Sequence, residues 1–457
     1  MQERKKIIIA PLNWGLGHAA RCIPIIKALL EKNYEVIIAS DGGALLLLQK
    51  EFPELESVKL PAYNINYSGK FLTLSLILQS FKIFFAVVRE YFFLKNFLKN
   101  FSKKNIQNEN EKNILKKYFF KNKNEIINSD IHAAENEKKF SAIISDNRLG
   151  FFNRAAEKNI FITHQYNIKT PHRTLDFFIN IFNRFFINQF DQCWIPDVES
   201  TPNLAGELSH GATVNKNKTR YIGALSRMKK FKTAKLYDII AVLSGPEPQR
   251  TYLEKIILSE FNKYLENHPE KKLCLVRGVS NSCEQSAVSI HQGNNKSEAI
   301  QNTRVTFNPT FKNKSEAMQE TRENINPVQN KSAAGQNTRG NESSKLKAQS
   351  SKLFDVFDFL TTDALNEKLM QSDILIARSG YSTIMDLAAL QMSAILIPTP
   401  GQTEQEYLAQ KFMSENIFFT VAQSDFDLER ALFLSKNYSG FKENKFIYAE
   451  LIDSTGL

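Results

Sequence analysis

The residues able to do chemistry lie in the turns that follow apolar runs. The first such turn reads Pro11-Leu-Asn-Trp-Gly15-Leu-Gly17-His18-Ala-Ala-Arg21. Two glycines there permit a tight turn and close backbone approach at a helix start, where free amides and the helix dipole favour an anion. His18 enters that helix and, as an imidazole, suits a general base; the plainer alternative is a capping or solvent-facing histidine. Asp146, closing a later run, is the rival base, and either residue could instead bind an acceptor or orient its loop. Gly15-x-Gly17 with Asp41 after the second run also fits a dinucleotide fingerprint, Asp41 holding a ribose. A histidine directly after the second glycine is unusual for it, and no Gly-Lys-Ser/Thr follows, which excludes a P-loop.

A second group of turns lies far downstream. In Asp373-Ile-Leu-Ile-Ala-Arg378-Ser379-Gly380-Tyr-Ser382-Thr383-Ile-Met-Asp386, Arg-Ser-Gly joins a strand to a helix whose first turn offers unpaired amides, a seat for a diphosphate. Asp386 could accept from ribose hydroxyls, or close a capping box with Thr383. The loop Ile397-Pro-Thr-Pro400-Gly401-Gln402-Thr-Glu404-Gln405-Glu406 carries polar side chains suited to sugar hydroxyls, or is simply an exposed loop. Leu243-Ser244-Gly245-Pro246-Glu-Pro-Gln-Arg250 repeats the pattern of strand, glycine turn and cation. No Asp-x-Asp run adjoins these loops, so a metal-independent reaction without a resident cofactor is the simpler expectation.

Such turns need strands to carry them. The candidate strands are Lys6–Ala10, Tyr34–Ser40, Phe140–Ser145, Ile160–Thr163 and Gln192–Ile195, then Tyr221–Gly223, Asp238–Leu243, Lys272–Arg277, Phe354–Phe357, Asp373–Ala377, Ala394–Pro398 and Phe418–Val421. Their continuous Ile/Val character predicts parallel strands covered on both faces. Ala19–Lys32 and Thr383–Leu390 carry apolar residues at helical spacing. The chain therefore reads as α/β, two doubly wound Rossmann-like units. The expected division is an N-terminal unit over 1–205, a linker over 206–220 rich in Asn, Lys and Gly, and a C-terminal unit over 221–457 of about six strands, like the first.

Composition limits the partners. Among 457 residues, 59 Lys+Arg face 48 Asp+Glu, a net charge of +11. Most of that excess sits in residues 95–139 (+5) and 280–352 (+4), leaving the remainder near neutral. The basic balance consequently does not point to nucleic acid, for which no motif is present. Residues 280–352 repeat KSEAIQNTR, KSEAMQETR and KSAAGQNTR from Lys296, Lys314 and Lys331 without a hydrophobic stripe. They are expected to be a disordered insertion, since they cannot bury enough surface to offset ordering entropy, the alternative being a partner-binding arm. Residues 70–139 read as helical and basic; within them the Phe/Leu/Lys mixture of 71–123 predicts either a helix pair docking on anionic headgroups or a buried helix followed by a solvated one. Lys82, Arg89 and Glu90 interrupt the most apolar stretch, so no spanning helix is expected. The four cysteines, Cys22, Cys193, Cys274 and Cys283, form no metal or disulfide pattern. With no signal-peptide core at the start, a cytoplasmic protein, peripheral at the inner face of the membrane, is expected.

Taken together, Gly-x-Gly-His with Arg-Ser-Gly-x-x-Thr-x-x-Asp and Pro-x-Pro-Gly-Gln-x-Glu-Gln resembles the GT-B glycosyltransferases of family 28, which include peptidoglycan N-acetylglucosaminyltransferases. Ile144–Arg148, Thr163–Gln165, Trp194–Asp197 and Gly206–Ser209 resemble motifs of a bacterial and archaeal branch of that family. The resemblance implies two Rossmann-like domains facing a cleft, acceptor on the first and nucleotide-sugar on the second. It places Asp386 at the ribose, Ser244, Gly245 and Gly380–Thr383 at the diphosphate with Arg250, Arg378 and Ser379 beside them, and Gln402, Gln405 and Glu406 at the donor sugar. On the acceptor side it places Gly15, Gly17, His18, Asn147, Arg148 and His164. Asp386 stands where the peptidoglycan enzymes have Glu, and Ser-Gly-Pro-Glu-Pro replaces their glycine-rich turn. The implied reaction is inverting transfer from a UDP-sugar to a lipid-linked or cell-envelope glycan acceptor. The alternatives are a nucleotide-sugar epimerase of the same fold, an NAD-linked oxidoreductase and a non-enzymatic nucleotide-sugar-binding protein.

Overall fold

The computed structural model describes residues 4–63, 82, 84–99, 140–170, 173–211, 213–245, 247–278, 354–443 and 446. The expected insertion over 280–352, and most of the expected helical region over 70–139, lie outside the described residues.

Two parallel sheets organise the chain. The first contains β1 (Lys6–Pro11), β2 (Glu35–Ser40), β3 (Ser57–Lys59), β4 (Phe140–Asp146), β5 (Ala156–Ile162), β6 (Gln192–Ile195) and β7 (Thr219–Tyr221), in the order β3-β2-β1-β4-β5-β6-β7. The second contains β8 (Tyr237–Val242), β9 (Leu273–Val276), β10 (Asp355–Phe357), β11 (Ser372–Ala377), β12 (Ser393–Leu396) and β13 (Phe419–Thr420), in the order β10-β9-β8-β11-β12-β13. The central strands are buried along nearly their whole length, as continuous Ile/Val runs require when helices cover both faces. In each sheet the strand order reverses beside the first strand, between β1 and β4 and between β8 and β11, which opens a crevice at the strands' C-terminal ends.

The helices are α1 (Gly17–Glu31), α2 (Gly42–Glu51), α3 (84–99), α4 (Arg173–Ile187), α5 (Gln249–Asn267), α6 (Thr362–Met370), α7 (Tyr381–Leu390), α8 (Thr403–Ser414) and α9 (Leu428–Ser435). One apolar cluster runs from β1 and α1 through Leu204, Leu208 and Ile222 to Tyr381, Ile384 and Leu408, so the two halves share a core. The chain later returns to the junction: the Ala224 amide donates to the Phe446 carbonyl at 2.6 Å.

Two expectations are corrected. Residues 206–220 do not form a free linker. Gly206–Leu208 makes a 3-10 turn and Thr219–Tyr221 pairs with β6, so the strand expected at Tyr221–Gly223 belongs to the first sheet and lies earlier. Its Asn- and Lys-rich flanks conceal a three-residue edge strand. β3 is equally short and was not anticipated.

Candidate active site

At the first switch point Pro11 and Asp146 lie side by side in register, so the turn after β1 and the end of β4 share one crevice. His18 and Arg21, three residues apart on α1, face the same way. Arg21 donates Nε to Asp146 Oδ2 at 2.6 Å and Nη2 to Asp146 Oδ1. His18 Nδ1 stands 2.9 Å from the same Oδ1. Asp146 is completely buried, which pushes its pKa up, but the charges and hydrogen bonds of Arg21 and His18 outweigh burial and hold it well below the usual carboxylate range. An enclosed, permanently ionised carboxylate cannot meet an acceptor hydroxyl. It can hold His18 with the proton on Nδ1, leaving Nε2 as the basic atom, the division of labour found in acid–histidine pairs.

The cluster continues into the second half. Arg21 Nη1 lies 2.7 Å from His164 Nδ1, and His164 Nε2 lies 3.0 Å from Glu404 Oε1 at the start of α8. Gln165 Nε2 donates to the other oxygen of Glu404. The His164 ring stacks on Tyr381, centroids 4.3 Å apart and planes at 4°, while Tyr381 donates its hydroxyl to the Pro196 carbonyl at 2.8 Å. Burial lowers the His164 pKa, partly countered by Glu404. Glu404 is pushed up by burial, but His164 brings it below its ordinary value.

Gly17 heads α1 and Ser382 lies in the first turn of α7. A methyl group added to Gly17 would stand 2.5 Å from Ser382 Oγ, which would have to turn aside, so the two helix starts meet closely here. Neither helix has a side-chain N-cap or an acid in its first turn. Two sets of unpaired amides and two dipole ends thus converge on one crevice, an arrangement suited to an anion.

The remaining expected residues divide into those left open and those occupied. Ser244 and Gly245 are exposed beyond β8; Gly245 adopts φ +105°, and a methyl there would meet nothing within 4 Å. Gly15 is likewise exposed, and Gln402 is the N-cap residue of α8. Asp386 accepts from Ser226 Oγ at 2.6 Å. Burial lifts its pKa to about 6, moderated by the Ser226 hydroxyl and by Arg227. The capping box with Thr383 is not formed, because Gly380 is the N-cap.

Arg378 does not offer its guanidinium to the crevice. It is 1% exposed and donates to the carbonyls of Ile397, Pro398 and Gln249 and to Gln423 Oε1, tying together three loops beyond the second sheet. Without a carboxylate partner, burial lowers its pKa to about 10. Ser379 Oγ donates to the Gln405 carbonyl at 2.8 Å. Gln405 Oε1 accepts from the Thr399 amide at 2.8 Å and Glu406 Oε1 from the Gly401 amide at 2.7 Å, so both side chains brace their own loop. Arg250 donates to the Arg277 carbonyl and pairs with Glu247.

On the first half, Asn147 adopts φ +56° and donates its amide to Ile162. Arg148, expected on the acceptor side, is fully buried: it donates Nη1 to Glu90 Oε1 at 2.6 Å, Nη2 to Asp41 Oδ1 and Nε to the Pro11 carbonyl. Asp41 also accepts from Asn13 Nδ2 at 3.2 Å, so neither oxygen is free for a ribose and the oxidoreductase reading loses its acid. Arg21, Gln165, Glu404 and Tyr381 were not singled out from the sequence. Arg21 carried a signal in its three-residue spacing from His18, and Gln165 and Glu404 stood inside quoted motifs without an assigned role.

Residues 305–433 match the glycosyltransferase family 28 C-terminal domain. A stretch of 72 residues, 16% of the chain, is 36% identical to the UDP-N-acetylglucosamine--N-acetylmuramyl-(pentapeptide) pyrophosphoryl-undecaprenol N-acetylglucosamine transferase of Campylobacter jejuni subsp. doylei, and spans 20% of that protein's length. The calicheamicin glycosyltransferase CalG4 superposes with a TM-score of 0.50 at 8% identity, covering 99% of this chain and 95% of that one. MurG of Acinetobacter baumannii superposes with a TM-score of 0.45 at 10% identity, with coverage of 99% and 95%. The likeness to CalG4 and the two facing sheets identify the architecture as GT-B.

Proposed function

Starting from a GT-B chain that carries a family 28 glycosyltransferase domain, we propose that the protein transfers a sugar from a UDP-linked donor to a lipid-linked cell-envelope glycan, by a metal-independent inverting displacement. The observation that carries this reading is the placement of His18, held by Asp146, opposite the uncapped start of α7. An acceptor hydroxyl gives its proton to His18 Nε2 as its oxygen attacks the anomeric carbon, and the nucleoside diphosphate leaves from the opposite face. The departing charge is received by amides at Gly380–Thr383 and at the Ser244–Gly245 turn, fixed dipoles needing no rearrangement. Asp386 accepts from the ribose. Arg378, Ser379, Gln405 and Glu406 shape the loops that hold the donor, and Gln402 faces the sugar.

The donor base and the lipid-linked acceptor are suggested by the name of the Campylobacter relative. A membrane-facing acceptor fits the surface of α4, whose Phe177, Phe178, Ile181, Phe182 and Phe185 are all exposed, Phe178 by 68%. Inward, Asn180 and Asn183 hydrogen-bond the backbone of residues 165–168, and Phe186 and Ile187 are buried. Phe84, Phe85 and Phe92 of α3 are also exposed. Such an aromatic stripe suits the headgroup region of an anionic membrane, with the protein at its cytoplasmic face. Among the described residues no helix is long and apolar enough to cross a membrane.

The test is turnover of UDP-sugars by His18→Ala, expected to fall at least tenfold with UDP binding intact; unchanged turnover removes His18 as base. Replacing Phe178 and Phe185 by Ser is expected to weaken co-sedimentation with anionic vesicles, and equal sedimentation rejects the membrane contact.

A further inference from the structure

We propose that Glu404, reaching from the second half onto the first, is a positioning residue that fixes the tautomer of His164 and thereby holds Arg21 on Asp146, so that closing the cleft makes His18 a base. The proposal rests on the reading of His18 given above and concerns how its protonation pattern is set.

Which groups can donate decides the tautomers. A guanidinium has donors only. Arg21 Nη1, 2.7 Å from His164 Nδ1, therefore requires a lone pair on that nitrogen, and the His164 proton must reside on Nε2. There it points at Glu404 Oε1, 3.0 Å away. Glu404 is itself oriented by Gln165, which occupies its second oxygen. Remove the carboxylate, and only the Arg21 contact, no longer braced from the second half, still favours Nε2–H over Nδ1–H. The Nδ1–H form would aim a proton at the Arg21 guanidinium and drive it away.

Arg21 is the pivot because its Nη2 has two neighbours. It donates to Asp146 Oδ1, yet lies 2.9 Å from His18 Nδ1, which is itself 2.9 Å from that same oxygen. With the guanidinium forked on Asp146, His18 donates Nδ1–H to the carboxylate and keeps Nε2 free. With the guanidinium displaced, Nη2 can donate to His18 Nδ1 instead, which places the histidine proton on Nε2 and removes the base. Two residues of the first half thus adopt their working protonation only when a carboxylate of the second half is in place.

The charges around the pivot are Asp146, Glu404 and Arg21, with the Cys22 thiol beside Asp146 and Tyr381 stacked on His164.

The experiment uses the full chain labelled with 15N at histidine, comparing wild type, Glu404→Ala and Glu404→Gln. Nitrogen shifts report each tautomer without requiring substrate. The expected result is Nε2–H at His164 and Nδ1–H at His18 in the wild type, both altered in Glu404→Ala and both retained in Glu404→Gln, whose amide oxygen still accepts. With a nucleotide-sugar substrate, Glu404→Ala is expected to lower turnover at least tenfold and shift the acid limb of the pH profile, yet to add nothing in a His18→Ala background. Unchanged tautomers in Glu404→Ala, or Nδ1–H at His164 in the wild type, overturn the proposal. If the tautomers respond as expected but the wild type neither binds nor turns over nucleotide sugars, the positioning chain stands and the glycosyltransferase reading fails.

Discussion

Asp386→Asn should make the protein more stable and a poorer binder of UDP at once. The side chain accepts from Ser226 Oγ and is lifted from 3.8 to about 6, chiefly by burial. A carboxyl raised in this way is favoured uncharged in the folded state, so its contribution is fully present below about pH 4 and is lost as pH rises through 6. At 1.36 kcal/mol for each tenfold change in proton affinity, the ionised carboxylate costs the fold about 3 kcal/mol above pH 7, and about half of that at pH 5. Asparagine keeps an oxygen for Ser226 and carries no charge. Chemical denaturation at pH 5, 6, 7 and 8 should therefore show the variant gaining on the wild type by about 1.4 kcal/mol across that range. Calorimetric titration with UDP should show at least tenfold weaker binding, because the ribose loses its charged acceptor. A variant destabilised equally at every pH would refute the argument, since it would mean that Asp386 is held ionised without penalty.

Other substitutions probe the frame around the site. Arg148→Met leaves Asp41 and Glu90 buried without their cation and should destabilise by about 3–5 kcal/mol in denaturant unfolding; wild-type stability would contradict the network. Gly17→Ala obliges only the Ser382 hydroxyl to turn aside and should lower stability by about 1 kcal/mol in denaturant unfolding, and adding Ser382→Ala, which removes that oxygen, should restore it; a loss that Ser382→Ala leaves unchanged would contradict the contact. His164, with its pKa lowered by burial, contributes stability that is complete above about pH 6.5 and declines as pH falls. Asp146, held down by Arg21 and His18, adds a further loss below about pH 4. His164→Gln should accordingly flatten the stability profile between pH 5 and 6.5, and an unaltered slope would show that His164 is not held neutral.

The sheets were legible because their strands are continuous apolar runs with glycine turns at the ends, and those ends are where the crevice lies. β3 escaped because three edge residues carry too little pattern, and β7 was expected two residues late and in the second unit because it follows Asn and Lys that read as a linker. The helix starts at Gly17 and Gly380 were legible for the same reason as the strands. What could not be read was who faces whom. Glu404 meets His164 across a sequence separation of 240, and no local spacing encodes that. Arg148 and Arg378 show the opposite failure: an arginine at a strand end reads as a ligand contact, yet both are consumed in holding loops from beneath. Helix α4 departs from the usual rule, with five large apolar side chains outside, because Asn180 and Asn183 on its inner face anchor loop backbone and only Phe186 and Ile187 are buried, Ile187 in a core cluster.

The central claim is that the crevice between the two halves takes a nucleotide sugar, and direct calorimetric titration of the full chain with UDP, beside NAD as the competing ligand, tests it most plainly. The account predicts saturable binding of UDP, weakened at least tenfold by Asp386→Asn, and no binding of NAD. Binding of NAD without binding of UDP would contradict it.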